Sequence, residues 1–250
     1  MSQPLPHDSI KPFSGSEKGK KEQVAEMFDR IANRYDFMNR FLSLRIDVLW
    51  RRKAILKLKK DNPQRILDVA TGTGDLSLMA WKLLKPRQIV GIDISEGMLE
   101  IGRQKIAARG LSDGIALQLG DAETINCEAN TFDAVMVAFG VRNFENLDSG
   151  LKEMSRVLRP GGKLMVLEFS RPRLPLFRTV YDWYMRKLAP ILAGSFRTDK
   201  EAYAYLNRSS NAFPDREAFT SLLKQAGYTE TTCEPLTFGI CCLYTAQKPF

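Results

Sequence analysis

The chain has 250 residues, 44% of them apolar, and a net charge of 37 − 29 = +8, so it can build a full core and favours anionic partners. Its one histidine, His7, lies near the N-terminus, which argues against a Ser-His-Asp triad or a histidine-based metal site. The four cysteines (Cys127, Cys233, Cys241, Cys242) have no CxxC spacing, which argues against a zinc site or a disulfide framework and fits a reducing cytoplasm.

Residues 1–21 read as a flexible basic tail without the apolar centre of a signal peptide. Residues 22–60 read as helical, with a break near Met38 to Ser43. No window reaches eighteen uncharged apolar residues, so no span of a bilayer is expected. Strands and helices then alternate: strand 65–70, helix 75–84, strand 88–93, helix 95–109, strands 115–120 and 132–139, and helix 146–158. Arg159-Pro160-Gly161-Gly162 reads as a turn before strand 163–170. Four of these strands are near-continuous apolar runs, as in a parallel sheet covered on both faces. Residues 171–225 break the rhythm with prolines and aromatics and read as a helical insertion, ending in helix 214–226. Segments 228–234 and 239–247 can form a closing hairpin. The expected organisation is a single domain over 22–250.

The informative stretch is ILDVATGTGD (66–75), an apolar strand ending in Asp68 and a turn through Gly72, Thr73 and Gly74. In an open parallel sheet, ligands sit at the carboxyl ends of strands, and glycines allow the backbone to approach them. Asp93 ends the next strand and can accept both ribose hydroxyls. Asp121 follows the third, where its side chain and the Ala122 amide can read an adenine edge. Each acid alone also fits a helix N-cap or a turn. The dinucleotide pattern G-x-G-x-x-G fails at Ser77, and the turn is acidic at Asp68 and Asp75. Carboxylates there repel phosphates and suit a cationic adenosine; S-adenosyl-L-methionine fits, and no metal is required.

LDVATGTGD, TFDAVMVAFG and LRPGGKLMVLEF resemble the motifs of class I S-adenosylmethionine-dependent methyltransferases. The likeness extends to MFDRIANRYDFMNRFLSLRIDVLWRR (27–52), AFGVRNFENLDSGLKEMSRVLRPGG (138–162), LEFSRP (167–172), AYAYLNRSSNAFPDREAF (202–219) and AGYTE (226–230). These are similar to the quinone-biosynthesis C-methyltransferases of the UbiE/MenG group, over most of the chain. The resemblance implies a Rossmann-like α/β fold. Its mostly parallel seven-stranded sheet would carry helices on both faces, an antiparallel hairpin at the C-terminus, an N-terminal helical extension and a helical insertion. It implies methyl transfer to a ring carbon of demethylmenaquinol, giving menaquinol and S-adenosyl-L-homocysteine. The equivalent methylation of a polyprenyl benzoquinol in ubiquinone biosynthesis is the alternative. Cofactor contacts carry over to Thr73, Asp93, Asp121 and Ala122. At Ala138 some members carry a serine, so that contact is lost or made by backbone. Arg45-Ile46-Asp47 replaces a segment that often holds Gly and His, so no role for that histidine carries over.

Methylating a ring carbon needs a neighbouring aryloxide. Arg142, after the fourth strand, is the candidate cation for it, directly or through a water, and Asn143 can orient it. The competing reading is that Arg142 pairs with a carboxylate such as Glu145 and braces the loop. Tyr35 and Asp36 can close over the ligands or simply pack and cap a helix. Tyr203 and Tyr205 can line the pocket, though core packing is favoured. Residues 174–192 carry an apolar helical stripe, read as a helix on the sheet or a cap for an isoprenoid tail. Basic runs Lys18-Lys21, Arg51-Lys53 and Lys57-Lys60 can attract anionic lipid, so peripheral work at the cytoplasmic membrane face is expected, with oligomerisation left open. An RNA or DNA methyltransferase is permitted by charge, but no N-P-P-[YF] segment or RNA-binding module is present; a non-catalytic adenosyl-binding scaffold conflicts with the intact acids.

Overall fold

A computed structural model describes residues 5–13, 15–173 and 200–250. The apolar stripe at 174–192 lies outside the described residues, as does the Tyr203 side chain. The described residues form seven strands: β1 Arg65–Val69, β2 Gln88–Asp93, β3 Ile115–Leu119, β4 Phe132–Ala138, β5 Leu158–Phe169, β6 Thr229–Leu236 and β7 Cys241–Gln247. They form one sheet in the order β3-β2-β1-β4-β5-β7-β6. The first five are mutually parallel, while β7 runs antiparallel to both β5 and β6.

Strand side chains alternate between faces. Ile66, Ile89, Met136 and Met165 join a core with helices α2 Ile46–Lys57, α3 Asp75–Leu84 and α4 Glu96–Ala107. Leu67, Val90, Val135 and Val166 face the other way, against α5 Leu147–Val157 and α7 Glu217–Gln225. Helix α1, Lys20–Leu42, packs Val24, Met27 and Ile31 against Met98 of α4 and against Ala202 and Tyr205 of α6, Lys200–Ala212. Its Asp29 meets Ser95, just past the carboxyl end of β2.

Three expectations need correcting. Helix α1 runs unbroken through Met38 to Leu42; the break falls at Leu44 and Arg45, which take left-handed φ of 50° and 63°. Strand β5 starts at Leu158, because Leu158 pairs with Phe132 and Lys163 with Ala134, leaving Pro160-Gly161-Gly162 as a bulge in the strand. The expected boundary of the tail at residue 21 does not match the described residues. Lys20 and Lys21 belong to α1, His7 is buried with its ring edge-on to Phe213, and the Phe13 amide donates to Gln23.

Candidate active site

Strand order reverses between β1 and β4, and the carboxyl ends of β1, β2 and β4 open a cleft that is partly exposed to solvent. Tyr35, Asp36, Arg51, Asp68, Gly72, Thr73, Asp93, Ala138 and Asn143 all lie in its wall. A second depression beside it is lined by Lys21, Asp93, Asp121, Ala122 and Asn143. Every expected cofactor residue therefore borders one of two adjoining hollows, except Gly74, which turns the chain into α3.

The turn takes its shape from left-handed backbone at Ala70, Gly72 and Gly74, with φ of 53°, 56° and 74°. A Cβ on Gly72 would meet nothing within 4 Å, so its surface is open to a ligand. At the neighbouring helix, Gly102 is needed for contact: a Cβ there would sit 2.5 Å from Leu117 and 3.1 Å from the Thr73 carbonyl carbon.

The acids are prepared differently. Asp68 Oδ2 accepts from Thr71 Oγ1 at 2.7 Å and Ser77 Oγ at 2.6 Å, while its buried Oδ1 has no partner. Burial pushes its carboxyl up to about 6. Asp93 accepts from the Gly72 amide at 2.8 Å and the Ser95 amide at 2.9 Å, and burial likewise raises it to about 6. Asp121 accepts from the Glu123 amide at 2.9 Å and from Lys21 Nζ at 2.5 Å. An orphaned buried carboxylate oxygen costs free energy that an incoming N–H donor recovers, so Asp68 suits an ammonium-bearing ligand.

Asp75 does not contribute the free negative charge expected of it. Despite burial, Lys105 and Arg40 hold its carboxyl below the usual range, with contacts of 2.8 and 2.6 Å. Lys105 also bonds Asp36 and, at 2.9 Å, Thr73 Oγ1, which itself donates to Asp36 at 2.7 Å. The hydroxyl of Thr73 thus ties the glycine turn to α1. Asp29 adds a second tie, accepting from Ser95 Oγ at 2.6 Å and the Gly97 amide at 2.9 Å.

Arg142 is buried, and its partner is Glu168, not Glu145. Nη1 donates to Glu168 Oε1 at 2.7 Å and to the Phe139 carbonyl at 2.6 Å, and the guanidinium lies 5.3 Å from the centre of the Phe169 ring. Glu145 instead accepts from the Lys20 amide at 2.8 Å. Burial raises the Glu168 carboxyl although Arg142 opposes it. Two polar atoms on consecutive residues stay unmatched: Arg142 Nε, a donor, and Asn143 Oδ1, an acceptor. Burial raises the Tyr35 hydroxyl, against the field of Arg142. Tyr205 packs in the core under α1 and does not border the cleft.

Arg51, Lys105, Asp29 and Lys21 were missed as site residues. Arg51 was read only as part of a basic run, yet it lines the cleft, pairs with Asp47 and lies 5.4 Å from the centre of the Phe139 ring. No residue spacing marks these four, because they reach the site from helices distant in sequence.

The strand order, the glycine turn and the three strand-end acids define a Rossmann-like methyltransferase of class I. The chain belongs to the ubiE/COQ5 methyltransferase family, whose profile matches residues 16–248. It is 47% identical to the demethylmenaquinone methyltransferase of Bacteroides fragilis, covering 97% of this chain and 99% of that one. It is 45% identical to the ubiquinone/menaquinone biosynthesis C-methyltransferase UbiE of Geotalea daltonii, covering 94% and 100%. Among solved structures, a SAM-dependent methyltransferase from Thermotoga maritima superposes with a TM-score of 0.62 at 20% identity, over 90% of this chain and 99% of that one.

Proposed function

We propose that the protein transfers a methyl group from S-adenosyl-L-methionine to a ring carbon of demethylmenaquinol, giving menaquinol. The observation that carries this reading is the near-complete alignment with a demethylmenaquinone methyltransferase at 47% identity. The second relative's name covers ubiquinone as well, which keeps a polyprenyl benzoquinol as the alternative substrate.

The residues suit the donor. Asp68 Oδ1 can take its ammonium, Asp93 its ribose hydroxyls, and Asp121 with the Ala122 amide its adenine edge. Bound there, it supplies an electrophilic methyl on a sulfonium. Ala138 offers no hydroxyl, so any contact at that position is by backbone. Asp36, held by Lys105 and Thr73, keeps α1 closed on the glycine turn, and Tyr35 walls the cleft.

For the acceptor, Asn143 Oδ1 and Arg142 Nε offer what a phenol needs: an acceptor for its proton and a donor for its oxygen. Glu168 fixes the guanidinium, as an orienting acid fixes a catalytic base. Arg51, which lines the cleft as Asn143 does, adds positive potential as the oxygen becomes an aryloxide and charge moves to the ring carbon. The proton leaves to water at the open mouth. Turnover of demethylmenaquinol, demethylated benzoquinol and transfer RNA side by side tests the reading. Methylation of the naphthoquinol supports it; methylation of RNA alone overturns it.

A further inference from the structure

The inner face of α2 buries Trp50, Ala54 and Ile55 against the sheet. Its outer face carries Leu49, Arg52, Lys53 and Leu56, spaced three, four and seven residues apart and therefore neighbours on one side. Leu49 is 64% exposed, and Leu44, just before the helix, is 76% exposed. Leu49, Arg52, Lys53, Leu56 and Lys57 line one shallow groove. Arg45, Lys59 and Lys60, at the two ends of the helix, are exposed as well.

The charge on this face is one-sided. Glu234 pairs with Lys53 and Lys57, and Asp47 turns inward to Arg51. Arg45, Arg52, Lys59 and Lys60 have no ion pair among the described residues, and Asp61 is the exposed acid at the end of the face. On the next turn of chain, Phe238 is 58% exposed, and Trp50 Nε1 joins that turn to α2 through Thr237 Oγ1 at 2.8 Å.

We propose that this face of α2 docks on a bilayer carrying anionic headgroups, with the leucines in the interface and the cations on the phosphates. Leucines interleaved with cations suit a headgroup layer, where each cation meets an anion and each apolar side chain enters the acyl boundary. A few separated leucines are too small an apolar area for a stable protein interface, which needs ~800 Å² on each partner. The placement also fits the cleft. Arg51 in the cleft wall and Trp50, whose ring lies tilted against Phe139 of that wall at 6.3 Å between centres, belong to the same helix. Docking would bring the mouth within reach of a lipid-borne substrate. Only this last point rests on the proposed function.

The test is flotation of the full chain with vesicles of phosphatidylglycerol and phosphatidylcholine in equal parts, and with phosphatidylcholine alone. The wild type binds the anionic vesicles, and salt weakens binding. Arg52→Gln, Lys59→Gln and Lys60→Gln together weaken it by about 100-fold, roughly fivefold for each cation removed. Leu49→Asp with Leu56→Asp also abolishes it. Both variants keep the wild-type melting temperature, because every position changed is exposed, and keep wild-type turnover of a short-tailed, water-soluble quinol. Wild-type binding that ignores the anionic lipid, or variants that bind like wild type, overturn the proposal. So does a dimer, seen by light scattering, that the leucine variant abolishes. If the wild type floats but no quinol is turned over, docking stands and the assigned reaction falls.

Discussion

Replacing Glu168 with Ala leaves the Arg142 guanidinium, 3% exposed, without its counter-ion. Uncompensated buried charge of this kind destabilises a fold by about 3–5 kcal/mol. At ~2–4 °C per kcal/mol for a chain of this size, the melting temperature should fall by roughly 6–20 °C. Removing both charges in Arg142→Met with Glu168→Leu restores most of the loss, since a well-packed apolar pair replaces a buried ion pair at little cost. The two variants separate bracing from chemistry. The proposed role for Arg142 requires the double variant to melt like wild type yet turn over about 10²–10³ times more slowly, the usual loss for one donor to a developing oxyanion. Scanning calorimetry and methyl-transfer rates read the two effects. A double variant that is both stable and fully active would make Arg142 a brace only, and a small stability loss in Glu168→Ala would refute the buried pair.

Lys21 occupies Asp121 Oδ2, so under the proposed reading of Asp121 adenine displaces it; Lys21→Ala should then tighten S-adenosylhomocysteine binding by about 1.5- to 5-fold by calorimetry, the range for a partly exposed ion pair. Burial pushes the Asp68 and Asp93 carboxyls up to about 6 from the usual 3.8, so between those pH values the folded chain holds more protons than the unfolded one. Their contribution to stability therefore falls as pH rises through that interval, while affinity for S-adenosylmethionine rises, and Asp68→Asn should flatten the affinity profile. A wild-type affinity independent of pH over that range would contradict the assignment. Gly102→Ala places a methyl against Leu117 and the Thr73 backbone, so it should displace the glycine turn and destabilise the fold by about 1–3 kcal/mol, with weaker cofactor binding. Wild-type melting and binding in that variant would show that the turn does not depend on this contact.

The centre of the sheet was legible because β1, β2, β4 and β5 are near-continuous apolar runs, and β1, β2 and Asp93 read directly from ILDVATGTG and VGID. The break after α1 was misplaced because no proline or glycine marks it; the chain turns through left-handed Leu44 and Arg45 instead. Asp75 was misread because its neutralising partners, Lys105 and Arg40, are 30 and 35 residues away in sequence. The partner of Arg142 was missed for a related reason. Glu168 is at the end of an apolar strand, where its neighbours in sequence point to core and only the pairing of β4 with β5 brings it near.

The central claim is methylation at carbon, and the most direct measurement uses S-adenosylmethionine with a deuterated methyl group and reduced demethylmenaquinone. The account predicts a labelled product that reoxidises to menaquinone with the label retained on the ring. A labelled product that cannot be reoxidised to a quinone, as for a methyl ether on oxygen, would contradict it, as would no transfer to the naphthoquinol.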